Sequence, residues 1–159
     1  MVAIRSPGMI DWQKIDTWEV LVVDDEPDNL AVVTDVLEFY GMTVKAANNG
    51  EEGLETLQKF VPTIILLDLS MPKMDGWEML KRVKAEPALQ TVPVVALTAH
   101  AMSEDKKRVL AAGFDGYLKK PIEVSTLIED LRAALEQDVV GSILPTDKQN
   151  AKESPGGLI

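Results

Sequence analysis

The sequence has no cysteine and a single histidine, His100, among its 159 residues. The absence of cysteine excludes disulfides, thiolate metal sites and cysteine nucleophiles, and one histidine cannot build a multi-histidine metal centre. No run approaches the roughly 18 apolar residues of a membrane-spanning helix, and the N-terminus lacks the pattern of a secretory signal peptide. These absences predict a soluble, cytoplasmic protein.

Basic residues are also scarce: 16 lysines and arginines stand against 26 aspartates and glutamates, for a net charge of −10. Nucleic-acid binders hold phosphates with a basic surface, and an anionic membrane repels an acidic one. We therefore predict neither nucleic acid nor membrane as a partner. The apolar content of 46% and the length are ordinary for one domain, which could bury about two-thirds of its unfolded surface without metal or disulfide staples.

The two ends of the chain differ from its middle. Residues 1–17 show no sustained periodicity and are predicted to form an N-terminal extension, although Ile10 and Trp12 are apolar enough to pack somewhere. Residues 138–159 finish in a polar stretch rich in glycine and proline, which is typical of a flexible, solvated tail. We predict one domain over residues 18–137.

Within this domain, short β-branched runs alternate with segments of helical spacing. The predicted strands are Val20–Val23, Thr43–Ala47, Ile64–Leu67, Val92–Leu97 and Gly116–Leu118. Four of them are nearly continuous in apolar residues, as expected of parallel strands covered on both faces. The predicted helices run from Pro27 to before Gly41 and over Glu51–Phe60, Trp77–Lys84, Ser103–Ala112 and Val124–Gln137. Five βα units predict an α/β fold with an open, doubly wound parallel sheet.

Polar side chains follow several of the predicted strands. Asp24-Asp25-Glu26 follows the first strand, Asp68 ends the third, Thr98 follows the fourth, and Lys119-Lys120-Pro121 follows the fifth. Because ligands of an open parallel sheet bind beyond the carboxyl ends of its strands, we expect these residues to share one site. Clustered carboxylates repel one another unless a cation joins them, and oxygen ligands suit a hard divalent ion such as Mg²⁺.

This set of groups suits the transfer of a phosphoryl group. A carboxylate beside a divalent ion can attack phosphorus and form an acyl phosphate. The ion and a lysine can neutralise oxygens of the transferred group while a hydroxyl donates to another. Each residue type at this edge of the sheet then has a task.

Four segments resemble the receiver domain of two-component response regulators. They are LVVDDE (21–26), IILLDLSMPKMDG (64–76), VVALTA (94–99) and GYLKKPI (116–122). One such string alone is weak evidence, whereas four in the family's order, each at a predicted strand end, form a specific signal. The resemblance covers about residues 18–137. It implies a flavodoxin-like sheet of strand order 2-1-3-4-5 with five helices, and a phosphorelay signalling protein rather than an enzyme.

The resemblance implies that Asp68 is the phosphoacceptor, with self-catalysed phosphotransfer and autodephosphorylation at that residue. Asp24 and Asp25 would hold Mg²⁺ together with Asp68 and the backbone carbonyl of Ser70, and Mn²⁺ could substitute. Without this context, Asp68 would be interpreted as a cap at a strand end, and the acidic pair as a solvated turn.

Further roles follow from the same resemblance. Lys120, directly before Pro121, would contact the phosphoryl group, and the peptide between these two residues is expected to be cis. Thr98 would donate its hydroxyl to the phosphoryl group, and Tyr117 would be the aromatic that turns inward when Thr98 moves. Ser70 and His100 would tune the dephosphorylation rate, although a plain loop serine and a solvent-exposed loop histidine are the simpler interpretations of these two residues.

The leading hypothesis is a signalling module that takes a phosphoryl group from a histidine kinase or a histidine phosphotransfer protein. Its changed surface would be about residues 103–137, which would contact an unknown downstream protein, and phosphorylation-dependent dimerisation stays open. We expect a stand-alone regulator, with a receiver fragment of a hybrid histidine kinase, or a phosphorelay shuttle or sink, as the alternative.

Two unrelated functions remain as distant alternatives. A haloacid-dehalogenase-like phosphohydrolase also uses an aspartyl phosphate, but it needs a second acid two residues after the nucleophile, where this chain has Ser70. A flavodoxin-like FMN carrier needs a loop rich in hydroxyls and glycine after the first strand, where this chain has Asp24-Asp25-Glu26.

Overall fold

The five predicted βα units are present in the computed structural model, which describes residues 10–99 and 103–143. The strands are β1 (Glu19–Val23), β2 (Thr43–Ala47), β3 (Ile64–Asp68), β4 (Val94–Thr98) and β5 (Gly116–Lys119). The α-helices are α1 (Pro27–Phe39), α2 (Gly50–Leu57), α3 (Gly76–Ala85), α4 (Ser103–Ala112) and α5 (Leu127–Ile143). Short 3₁₀ helices cover Trp12–Thr17, Pro87–Leu89 and Val124–Thr126.

The strands form one parallel sheet in the order β2-β1-β3-β4-β5. The chain moves outward from β1 to β2 and then returns past β1 to β3, so the strand order reverses between β1 and β3. In such sheets the crevice at the reversal point, beyond the carboxyl ends of the strands, is where ligands bind. The predicted fold class and strand order are confirmed.

Both faces of the sheet are buried, which explains the continuous apolar runs. In β1, Leu21 and Val23 face a core that α2, α3 and α4 complete. Val20 and Val22 alternate with them and face a second core, which α1 and α5 complete. The helices therefore lie on both sides of the central strands and leave their carboxyl ends open.

Local signals in the sequence explain where several helices begin and end. Pro27 lies in the first turn of α1, where its missing N–H costs no hydrogen bond. The Asn49 side chain accepts a hydrogen bond from the Glu52 amide at the start of α2, as expected of an N-cap residue. Gly41 and Gly113, which follow α1 and α4, have φ values of 91° and 114°, in the left-handed region that glycine tolerates.

Four boundaries differ from the predictions by more than one residue. Strand β4 begins at Val94 rather than Val92, because the Val92 amide donates to the Leu89 carbonyl in a turn. Helix α2 ends at Leu57, because the two following amides bond to carbonyls three residues back. Helix α5 starts after a separate 3₁₀ turn and continues to Ile143, so residues 138–143 are helical rather than part of the predicted tail.

The described part of the N-terminal extension packs against the second core. Ile10 and Trp18 are buried, and the Trp12 and Trp18 rings meet edge-on with centroids 4.8 Å apart. The Arg132 guanidinium of α5 lies 5.4 Å from the centroid of the Trp12 ring. This segment therefore joins the start of β1 to α5. Within the described ranges, no helix has both the length and the apolar character that crossing a membrane requires.

Candidate functional site

Two buried strands carry the central acids of the site. Asp68 is the last residue of β3 and Asp24 follows β1 directly, and both are almost fully buried. Their backbones continue the sheet, because the Asp24 amide donates to the Ala47 carbonyl and the Leu69 amide to the Leu97 carbonyl. The carboxylates are therefore held at the reversal point of the sheet by backbone pairing.

Asp24, Asp25 and Asp68 form a compact acidic cluster. Each offers a carboxylate oxygen, and these oxygens lie within 4.8 Å of one another. Asp68 Oδ1 accepts a hydrogen bond from the Ser70 amide at 3.1 Å, whereas the buried Asp68 Oδ2 has no hydrogen-bond partner among the described residues. A buried carboxylate oxygen without a partner is costly, and three carboxylates are the ligands that a hard divalent cation prefers. The donor set fits such an ion.

Lys120 is the cation that faces this cluster. Its Nζ lies 3.2 Å from Asp68 Oδ1, 3.3 Å from Asp24 Oδ2 and 3.4 Å from Glu26 Oε1. Burial lowers the pKa of Lys120, but the carboxylates of Asp68 and Asp24 outweigh that effect and raise the pKa above its ordinary value. One ammonium cannot neutralise all of these carboxylates, so the site has an excess of negative charge.

The environment of Asp68 disfavours its ionised form. Burial, with repulsion from Asp24 added to it, raises the pKa of Asp68 to about 7, although Lys120 and the Ser70 amide act in the opposite direction. A divalent cation at the cluster would favour the ionised carboxylate, which is the form that can act as a nucleophile. Binding of a cation would therefore lower the pKa of Asp68.

The loop between β3 and α3 folds back onto Asp68. A Cβ atom on Gly76 would lie 2.4 Å from the Asp68 carbonyl oxygen and 2.8 Å from Leu69 Cα, so only glycine fits there. Lys73 in the same loop has a φ of 69°, which is uncommon for a residue with a side chain. The Asp75 side chain then accepts from the Glu78 amide and caps α3. The loop thereby closes one wall of the site.

Thr98 and Tyr117 lie on the two strands beyond β3. Thr98 ends β4 at the same sheet edge, is buried, and its carbonyl accepts from the Lys120 amide at 2.8 Å. Tyr117 is half-buried in β5, with the Lys106 ammonium 5.4 Å from its ring centroid. The Lys120–Pro121 peptide is cis, which confirms that prediction.

Two other predicted positions have different outcomes. Ser70 is exposed, and its amide rather than its side chain contacts Asp68. His100 lies outside the described residues, so its predicted role stays a prediction. Lys119 is exposed while Lys120 points into the cluster, as the resemblance to the family implied.

Glu26 is a site residue to which sequence analysis gave no separate role. It belongs to the acidic run after β1, yet its carboxylate contacts Lys120, which is far away along the chain. The signal in the sequence was its position between the acidic pair and Pro27. That position indicates the sheet edge but not the direction of the side chain.

A cavity of about 870 Å³ runs from the site along β5, between α4 and α5. Its lining combines apolar atoms with charged groups of both signs and includes Lys106, Tyr117, Lys120, Leu127 and Asp130. Because Lys120 and Tyr117 contribute to its wall, a change at the acidic cluster could alter its shape.

Comparison with known proteins gives consistent matches. The family model of the response regulator receiver domain matches residues 20–132. The sensor histidine kinase RcsC of Salmonella typhimurium is 38% identical over 122 residues, which are 77% of this chain and 13% of that kinase.

Two solved structures share the fold. The chemotaxis response regulator CheY4 of Vibrio cholerae is 33% identical, with a TM-score of 0.71, over 75% of this chain and 99% of that one. The receiver domain of the sensor histidine kinase PA1611 of Pseudomonas aeruginosa is 29% identical, with a TM-score of 0.66, over 75% of this chain and 98% of that one. The PA1611 structure has a magnesium ion coordinated in its active-site cleft.

Proposed function

The chain belongs to the family of response regulator receiver domains, and from that membership we propose that Asp68 accepts a phosphoryl group from a phosphohistidine. The donor would be a histidine kinase or a histidine phosphotransfer protein. The observation that carries the assignment is the environment of Asp68, a buried carboxylate that lies beside two acids and a lysine and has one oxygen without a hydrogen-bond partner in the described part of the chain. Asp24 is also buried and also contacts Lys120, and the choice of Asp68 between these two acids rests on the resemblance of residues 64–76 to the family.

Asp24, Asp25 and Asp68 would hold a divalent cation, with the backbone carbonyl of Ser70 as a further ligand. Mg²⁺ is the ion that we assign, because it prefers oxygen ligands and because the similar PA1611 receiver binds it in its cleft. Mn²⁺ would substitute for it. When bound, the ion supplies positive charge that neutralises oxygens of the transferring phosphoryl group.

In the transfer step, a carboxylate oxygen of Asp68 attacks phosphorus and forms a P–O bond as the P–N bond to the donor imidazole breaks. The bonding electron pair stays on the imidazole nitrogen, which then takes up a proton. Lys120, which already lies beside Asp68, donates to one phosphoryl oxygen, and the Thr98 hydroxyl donates to another. Attack of water on the acyl phosphate later releases inorganic phosphate and restores Asp68, at a rate that Ser70 and His100 would tune.

The signal would leave the site through Thr98 and Tyr117. When the Thr98 hydroxyl moves to the phosphoryl group, the half-buried Tyr117 ring can turn inward and change the cavity between α4, β5 and α5. Shifting a two-state population from 1:99 to 99:1 requires about 5.5 kcal/mol of differential interaction, and charge-assisted hydrogen bonds to the phosphoryl group supply energies of this order. The surface of residues 103–137 would then contact a downstream protein or a second copy of the chain.

The experiment that tests this function combines the purified protein with Mg²⁺ and acetyl phosphate and follows the mass of the intact chain. We expect one added phosphoryl group, none in the presence of EDTA, and none in Asp68→Asn. Asp35→Asn removes an exposed acid of α1 and should label normally. Lys120→Ala should fold and take up the label but fail to change conformation. Labelling that persists in Asp68→Asn, or that maps to His100, would refute the assignment.

The similarity to RcsC supports an alternative in which the same phosphoryl transfer takes place in a receiver that is part of a histidine kinase. The matched residues are a small part of that kinase, so a receiver of this sequence type also occurs inside a hybrid histidine kinase. Phosphotransfer from a separately purified kinase domain and from a phosphotransfer protein, compared at equal concentration, would show which donor this receiver prefers.

A further inference from the structure

Glu26 is a fourth carboxylate at the mouth of the site, and the phosphoryl chemistry proposed above has no use for it. Its Oε1 lies 3.4 Å from Lys120 Nζ and also accepts a hydrogen bond from the Asn29 side chain. The Glu26 side chain is 62% exposed, whereas that of Lys120 is 13% exposed. An exposed carboxylate therefore contacts a lysine that is largely buried.

Two hydrogen bonds and the following proline fix the backbone of Glu26 at the solvent-exposed edge of the site. Its amide donates to Asp24 Oδ1 at 2.9 Å, and its carbonyl accepts from the Leu30 amide at 3.0 Å. The next residue, Pro27, keeps Glu26 in an extended conformation. The backbone is anchored while the exposed carboxylate can still leave Lys120 by rotation of its side chain.

The contact divides Lys120 among three carboxylates. The ammonium contacts Asp68, Asp24 and Glu26 at 3.2, 3.3 and 3.4 Å, so Glu26 balances part of its charge and less of that charge is available to the other two acids. A cation at those two acids then meets less competition from the lysine. A phosphoryl group on Asp68, in contrast, needs the same ammonium and carries negative charge toward the Glu26 carboxylate.

We propose that Glu26 is a positioning residue that shares the Lys120 ammonium with Asp24 and Asp68, and so favours the cation-loaded site over the phosphorylated site. The inference rests on the proposed phosphoryl acceptance at Asp68. The proposed role of Glu26 predicts that one substitution changes the affinities for two ligands in opposite directions. Loss of the Glu26 charge should weaken the binding of the cation and strengthen the binding of a phosphoryl group.

The test is Glu26→Gln, with Mg²⁺ and then beryllofluoride, a mimic of an aspartyl-bound phosphoryl group, titrated by calorimetry. We expect Mg²⁺ to bind about two- to fivefold more weakly, and beryllofluoride at saturating Mg²⁺ to bind about two- to fivefold more tightly, in keeping with the strength of an exposed ion pair. Asp28→Asn is the matched control. It removes one exposed charge two residues away, and within the described ranges no ion pair joins Asp28 to Lys120.

The outcomes separate this inference from the proposed function. If the wild-type protein does not bind beryllofluoride, the proposed function fails and the role of Glu26 fails with it. If the wild type binds it and Asp68→Asn does not, the proposed function stands. The role of Glu26 is then refuted alone if Glu26→Gln behaves as Asp28→Asn does, or if both ligands shift in the same direction.

Discussion

Replacing Asp68 by asparagine should stabilise the protein when divalent cations are absent. Burial and the neighbouring Asp24 raise the pKa of Asp68 from 3.8 to about 7, so the folded protein resists the ionisation that the unfolded chain allows. This difference in pKa between the folded and unfolded states lowers the free energy of unfolding of the wild type by at most about 4 kcal/mol at pH 8. Asparagine has nearly the same shape and no charge, and it removes this cost while it keeps the acceptor for the Ser70 amide.

The pH dependence has a definite sign. The pKa of Asp68 is higher in the folded protein than in the unfolded chain. Between these two pKa values, folded Asp68 therefore keeps a proton that the unfolded chain releases. The relative stability of the wild type is greatest below pH 4 and falls as the pH rises toward 7. The advantage of Asp68→Asn should therefore be small near pH 4 and largest at pH 8.

Thermal unfolding in EDTA, at pH 4.5 and at pH 8, measures this effect. For a chain of this size each kcal/mol shifts Tm by about 2–4 °C, so we expect a gain of up to about 16 °C at pH 8. With Mg²⁺ at 100 times its Kd the wild type should gain about 2.7 kcal/mol, and the variant should gain less because it has lost a carboxylate ligand. Asp35→Asn, at an exposed position of α1, controls for the change in net charge.

Two results would refute this reasoning. One is an Asp68→Asn protein that is less stable than the wild type at pH 8 in EDTA. The other is a stability difference of the same size at both pH values, which would show that packing rather than the buried charge determines the effect.

Three further predictions concern other parts of the fold. Gly76→Ala places a Cβ against the Asp68 carbonyl and should cost about 1–3 kcal/mol in urea unfolding, with a loss of acetyl phosphate labelling. Trp12→Ala removes a half-buried ring from the second core and should lower the free energy of unfolding by about 1–2 kcal/mol without changing the Kd for Mg²⁺. Burial raises the pKa of Asp115, so Asp115→Asn, which keeps an acceptor for the Val94 amide, should raise Tm at pH 8 and have little effect near pH 3.

Much of the fold could be predicted because its signals are local. The run Ile64–Leu67 is apolar throughout because both faces of β3 are buried, and that pattern is visible without coordinates. Pro27 and Gly41 similarly mark the ends of α1 through their own backbone preferences. The convergence of Asp24, Asp68 and Lys120 follows from topology, since parallel strands end at one edge of the sheet.

Features that depend on packing or on side-chain direction could not be predicted in the same way. Val92 is as buried as a strand residue, but its amide is bonded in a turn, and hydrophobicity does not distinguish the two cases. The packing of Trp12 against Trp18 and Arg132 depends on the path of the extension. The contact between Glu26 and Lys120 depends on the reach of two long side chains across the sheet edge.

The instability of the site without a cation is a physical condition of its proposed function. A site whose carboxylates were fully neutralised by the protein itself would have little affinity left for Mg²⁺. Here Asp24 and Asp68 are buried, Asp68 keeps an oxygen that no described residue hydrogen-bonds, and Lys120 supplies one positive charge to the cluster. Burying these ionised acids costs free energy, and a ligand that neutralises them removes that cost. The free energy gained in this way can shift the equilibrium between two conformations. Asp68→Asn, which removes the charge of the acceptor itself, should therefore stabilise the fold and weaken its response to both ligands, Mg²⁺ and a phosphoryl group.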